Sequence, residues 1–233
     1  CMATFETIEN VATEITSKFT DDSSKKQVAL LYAFNGVGKT RLSRMLGSEQ
    51  DQDGENITTL GYNAYFEDLF YWDNENFELR FNTQDQIINF IDEQGLDSQI
   101  TKNFQELTQS KVLPEYDFKK GSVIFVFSPG DDRLEKIKIS RGEESLFIWS
   151  VFYTVVNNVL DEITTKEEDK STHIFDSLNR VIIDDPVSSI DDARIVHLGV
   201  KISNLINSRK IKIDEMRLNL SAPEKKLAKE YID

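Results

Sequence analysis

Four short groups of residues have the types and spacing to handle a phosphate and its metal ion. The first is Asn35-Gly36-Val37-Gly38-Lys39-Thr40-Arg41. Gly36 and Gly38 can take backbone angles that a Cβ forbids, so successive N–H groups can turn inward on one anion. A helix opening near Lys39 aims its unpaired N–H groups and the positive end of its dipole at the same point. Lys39 then reaches the terminal phosphates, and the Thr40 hydroxyl holds Mg²⁺. Ala33 stands where such a loop usually has its first glycine, and alanine is the smallest replacement. The second group is the apolar run Val181-Ile182-Ile183 ending in Asp184-Asp185, about 145 residues further on. Asp184 would position Mg²⁺ opposite Thr40, and Asp185 would orient or deprotonate the attacking water.

The third group, Ser140-Arg141-Gly142-Glu143, opens a long helical pattern. A Ser and a Gly there form a second anion site, or Ser140 is a plain N-cap with an acidic first turn. The fourth, Val187-Ser188-Ser189-Ile190-Asp191-Asp192, directly follows Pro186. Taken alone it reads as a turn and an N-cap for a helix from about 193 to 206.

The elements that must position these groups are legible as periodic runs. Phe5, Ile8, Val11, Ile15 and Phe19 have helical spacing, followed by the polar link 21–26. Residues 28–32 predict the strand that feeds the glycine loop, and 57–65 predict a second strand after a surface loop at 48–56. Phe77, Leu79 and Phe81 alternate as a third strand. The aromatic density at 62–72 reads as core packing rather than a ligand box. Residues 84–112 predict helix in two pieces broken at Gly95. Residues 122–127 predict a strong strand, 129–132 a turn, and 134–139 its return partner. A long helix is expected over about 143–160, a mobile acidic loop over 161–170, and a short helix over 173–180. The fold class expected is α/β, with a helical insertion at 84–112 and an antiparallel β-hairpin.

Composition narrows the function classes. The chain has 233 residues and a net charge of −14, enough for one large domain and its insertions. The acidic balance argues against non-specific coating of nucleic acid. The single cysteine, Cys1, precedes Met2 and is expected to be a remnant of processing. With no intrachain disulfide possible and no leader or bilayer-length apolar run, the expectation is a cytoplasmic location without membrane association.

The order of the four groups resembles the ABC-type ATPases of the Rad50/SMC sort: Walker A, signature, Walker B, D-loop. Further stretches narrow the likeness. They are Tyr62-Asn63-Ala64, the run 67–74 with Tyr71-Trp72-Asp73-Asn74, and Phe147-Ile148-Trp149-Ser150-Val151-Phe152-Tyr153-Thr154. With them, residues 28–205 resemble the nucleotidase part of the PrrC-type bacterial anticodon nucleases. The resemblance implies an ABC-type P-loop domain at 27–233 behind a helical extension at 1–26, with 207–233 a divergent end. It implies ATP or GTP with Mg²⁺ on residues 35–41 and Asp184, and a catalytic role for Lys39 and Asp185. Ser140, Gly142 and Glu143 would address nucleotide held by a partner subunit, with Ser189 and Asp191 at the seam of an ATP-bridged homodimer or higher oligomer. It further implies a phage-defence system masked by a type I restriction–modification complex. The family's switch His and tRNA-cutting domain have no counterpart after Ile206, so the chain alone is expected not to cleave tRNA and to turn ATP over slowly. A nuclease-less, ATP-gated module that engages a partner protein is the alternative. A DNA-associated Rad50/SMC-like ATPase would need a coiled coil that 84–112 is too short to form.

Overall fold

The computed structural model describes residues 6–20, 38–47, 56–62, 66–127, 135–184 and 198–205. In chain order its elements are α1 (Ile8–Thr20), α2 (Lys39–Gly47), β1 (Thr59–Tyr62), β2 (Phe70–Asp73), β3 (Glu78–Phe81), α3 (Gln86–Glu93), α4 (Asp97–Thr108), β4 (Leu113–Asp117), β5 (Ser122–Phe127), β6 (Glu135–Ile137), α5 (Arg141–Thr164) and β7 (Arg180–Ile183). Residues 198–205 form a last helix, α6. The strand expected at 28–32, most of the surface loop at 48–56, the turn at 129–132 and everything expected beyond 205 lie outside the described residues.

Among the described residues two sheets of opposite kind result. Among the described residues β1 and β7 pair in parallel, Thr59 beside Arg180 and Tyr62 beside Ile183. The other sheet is antiparallel, in the order β2-β3-β5-β4 with β6 also on β5. β4 runs along one edge of β5, from Asp117–Ser122 to Leu113–Val126. The opposite edge is shared: β3 takes Ser122 and Val123, and β6 takes Phe125 to Phe127. The expected hairpin is therefore the β5–β6 corner of a larger sheet.

α5 lies at the centre, and its composition says so. It is apolar on every side, as a helix enclosed by other elements must be, and residues 146–152 are all buried. On one side Phe147 meets the rings of Phe70, Phe104 and Phe125, with centroids 5.9, 5.8 and 5.2 Å away. On another, Trp149 stands edge-on to Tyr62 of β1 at 4.9 Å, and Phe152 to Phe66 at 5.0 Å. Two buried hydroxyls on this helix need partners. Ser150 donates to the Leu146 carbonyl and Thr154 to the Ser150 carbonyl, both at 2.7 Å.

The break at Gly95 is present: its φ of +60° is the left-handed turn that lets α3 stop and α4 begin. Four expectations need correction. Phe77 is not in a strand; it sits half exposed in the β2–β3 turn with φ of 51°. The acidic segment 161–170 is not a mobile loop. α5 continues to Thr164, and Glu167–Asp169 form a short 3-10 turn. The segment 173–180 is a turn rather than a helix, and Arg180 already belongs to β7. Finally, β2 and β4 form strands that were not expected as such.

Because Phe147 bridges elements from both ends of the antiparallel sheet, Phe147→Ala is expected to cost about 3–5 kcal/mol of stability. Urea denaturation measures it; a loss below about 1 kcal/mol would remove the ring from that bridging role.

Candidate functional site

The glycine loop, as far as it is described, opens a helix as expected. Gly38 has φ of +96°, and the Leu42 N–H donates to its carbonyl at 2.9 Å, so α2 starts there. It is this conformation that calls for glycine; a Cβ built there would fall 2.5 Å from Ile8 Cδ1, the movable tip of a flexible side chain. Lys39, Thr40 and Arg41 form the first turn. α1 packs against this helix, and Arg41 Nη2 holds Glu9 Oε1 at 2.6 Å. Asn35, Gly36 and Val37 lie outside the described residues.

α2 packs against β1 and β7. Arg180, which opens β7, donates from Nη1 to the Leu46 carbonyl in the last turn of α2. Such a carbonyl lacks an intrahelical partner, and a guanidinium both satisfies it and favours the negative helix end. At the other end of β7 sits Asp184. It is buried, only 8% exposed, and its Oδ2 has no hydrogen-bond partner among the described residues. Ser43 of α2 is likewise buried, its Oγ without a partner among the described residues. Asp185, Ser189 and Asp191 lie outside the described residues.

The segment between α5 and β7 is held by charge and backbone together. Glu162 Oε1 accepts the N–H groups of Ser171 and Thr172. Lys170 Nζ reaches Asp176 Oδ1 at 2.6 Å and Glu167 Oε2 at 2.9 Å. The Ile174 carbonyl accepts the Ile57 N–H at 2.7 Å, and the Asn179 N–H donates to Thr58 O at 3.1 Å. Phe175 is buried edge-on against Phe90 at 4.9 Å. Glu167, His173 and Asp176 also bring ligand-type atoms within 4.8 Å of one another. The Lys170 ammonium, bound to both carboxylates, already supplies the positive charge there.

Ser140 is the N-cap of α5 in a full capping box. Its Oγ accepts the Glu143 N–H at 3.3 Å, and Glu143 Oε2 accepts the Ser140 N–H at 2.9 Å. The Ser140 hydroxyl also donates to that carboxylate at 2.8 Å. Gly142 lies between them in the first turn, and the cap reading of this group is therefore realised. Burial pushes the Glu144 carboxyl up, while positive Arg141 and Lys138 pull it back. Tyr62 joins this helix to the other sheet, its hydroxyl 3.5 Å from the Ser145 carbonyl.

Thus Lys39, Thr40 and Arg41 share one helix start, Asp184 ends the strand tied to that helix, and Ser140, Gly142 and Glu143 share a second helix start. Sequence reading missed Arg180, Ser43 and the Lys170 network. A cation opening an apolar run was the one visible signal for Arg180; nothing local pointed to Leu46.

These features define a mixed α/β protein with a glycine-turned helix start beside a strand that ends in a buried carboxylate. No family model and no solved structure matches the chain. It is 40% identical over 206 residues to the protein named Anticodon nuclease of Escherichia coli, covering 78% of this chain and 52% of that protein. This likeness agrees with the resemblance to the PrrC-type anticodon nucleases read from the sequence. It spans about half the length of the curated relative it matches. Among the described residues no helix is long and apolar enough to cross a membrane.

Lys170 and Asp176 make the strand that carries Asp184 sensitive to pH. The Lys170 hydrogen bond holds the Asp176 carboxyl below its usual range. A depressed carboxylate stabilises the fold above its unfolded pKa of about 3.9, and that contribution disappears as pH falls through the folded value. Thermal melts between pH 6 and 2.5 should fall more steeply below about pH 4 for wild type than for Asp176→Asn. Parallel curves would show that this pair contributes nothing.

Proposed function

We propose that this chain is the nucleotide-sensing part of an anticodon-nuclease system. It binds ATP or GTP with Mg²⁺ and relays the state of that nucleotide to a tRNA-cutting activity. The observation that carries this reading is Asp184: a buried carboxylate oxygen without a partner among the described residues costs free energy that a bound cation would offset. The left-handed Gly38 before Lys39 and Thr40 supports it from the other side, because it opens α2 with the positive end of the helix dipole at those residues. The Arg180 anchor suggests that β7 runs back along α2 from Leu46, bringing Asp184 to the end where Lys39 and Thr40 lie. The similarity to a protein named Anticodon nuclease supplies the system.

In this reading Lys39 binds the terminal phosphates, and Thr40 and Asp184 hold Mg²⁺. Asn35, Gly36, Val37 and Arg41 complete the cradle. Bound Mg²⁺ neutralises charge developing on the phosphoryl group, and Asp185 orients the attacking water. Ser140, Gly142 and Glu143 serve the nucleotide of a second copy, with Ser189 and Asp191 at the seam. A type I restriction–modification complex is the proposed masking partner.

Isothermal titration tests the site. Lys39→Ala removes a charge-assisted contact worth about 1.5–3 kcal/mol, so ATP affinity should fall at least about tenfold. Asp184→Asn should make the affinities with and without Mg²⁺ converge. Unchanged binding in both variants would sink the assignment. Light scattering tests the dimer: ATP should raise the mass of wild type, while Ser140→Arg should bind ATP and stay monomeric. The same mass with and without ATP would overturn the shared site.

A further inference from the structure

A cleft of about 670 Å³ lies between the start of α4 and β4. One wall is aromatic. Tyr116 and Phe118, two residues apart, stack with centroids 5.8 Å apart and planes within 7°. Thr101 of α4 fixes the Tyr116 hydroxyl at 3.3 Å. Three carboxylates share the rim with uncharged residues: Asp92 at the end of α3, Asp97 at the start of α4, and Glu115 of β4. Among the described residues no lysine or arginine lines the cleft. None of the three carboxylates forms an ion pair or a side-chain hydrogen bond with the described residues.

We propose that this cleft binds an organic cation, a guanidinium or alkylammonium group of the kind carried by a basic peptide or a polyamine. Aromatic faces carry negative potential and attract cations, more strongly where water is displaced. The carboxylates add charge around the same wall. Asp97 stands close enough to Tyr116 to help burial raise its phenol, so the two groups share one electrostatic environment. The positive end of α4 opposes a cation here, but Asp97 in its first turn answers that dipole. An inorganic ion fits less well. Such ions need several oxygens at once, and among the described residues the only convergent set within 4.8 Å is at Glu167, His173 and Asp176. An extended organic cation can span separate carboxylates while its body covers the rings.

Titration calorimetry of the full chain at 150 mM NaCl (roughly one 8 Å Debye length) tests this with two probes, spermidine and the capped peptide Arg-Gly-Arg. Because the whole protein is acidic, two triple variants of equal net charge are compared. Asp92→Asn with Asp97→Asn and Glu115→Gln should weaken binding at least tenfold. Asp68→Asn with Glu75→Gln and Glu135→Gln, all exposed and distant in sequence, should change it by less than twofold. Phe118→Leu keeps an apolar group and should cost about two- to fivefold by loss of the ring face. Peptide binding without spermidine binding identifies a protein partner, and the reverse a polyamine. No saturable binding of either probe, or equal losses in both triple variants, overturns the proposal in favour of diffuse attraction to an acidic surface. Circular dichroism melts of each variant confirm that a loss reflects the cleft and not the fold.

Discussion

The burial of α5 on all sides is the constraint from which the rest of the architecture follows. A helix that presents Phe147 to the antiparallel sheet and Trp149 with Phe152 to β1 has no solvated face to spare over its middle. Its polar groups must be settled internally, which Ser150 and Thr154 do by bonding back one turn. Its start must also be fixed, because a helix enclosed by two sheets sets their separation and relative height. The Ser140–Glu143 capping box does this at the surface, where the chain emerges from β6. Core packing and the exposed helix start are therefore one mechanical unit.

The parallel pair depends on that unit in turn. β1 is locked to α5 through Tyr62 and Trp149, and β7 is registered on β1. The segment leading into β7 is tied to Ile57 and Thr58, just before β1, by two backbone hydrogen bonds and to α5 by Glu162. Arg180 then joins β7 to α2. Asp184 sits at the end of this chain of attachments, which explains how a carboxylate can be held buried with one oxygen unsatisfied. Free energy released by packing elsewhere offsets that local cost.

Much of this was legible in the sequence wherever the signal was local. Gly95 marked the α3–α4 break because only a left-handed residue turns the chain there. The run Ser122–Phe127 declared a strand, and the fold buries it on both faces. β4 was hidden by Pro114, which cannot donate to a ladder, yet an edge strand tolerates it opposite Phe125. β2 was hidden inside an aromatic run whose period is ambiguous, and Phe77 was credited to a strand although it occupies the turn. The segment after α5 was misread because low hydrophobicity counts charges without asking whether they are paired, and Lys170 pairs two of them. For the site, the helix starts at Lys39 and Ser140 and the carboxylate after β7 could be named in advance. The guanidinium of Arg180 on a carbonyl 134 positions away in sequence could not, because a contact at that separation leaves no local periodicity.

The shared edge of β5 has a mechanical meaning. β3 grips its first half and β6 its second, with no continuous ladder running between the two. Side chains bridge that seam instead: Lys136 lies 3.9 Å from Glu78, and Lys138 reaches Asn74 at 2.6 Å while standing 5.6 Å over the Trp72 ring. β5 is thus a spine with two leaves. Either leaf can be displaced without breaking the backbone hydrogen bonds of the other, and the clasp between them is mostly electrostatic. It weakens with salt, whereas the spine and its buried helix do not. The leaf ending in β6 runs directly into Ser140, so a force that opens the clasp is delivered to the first turn of α5.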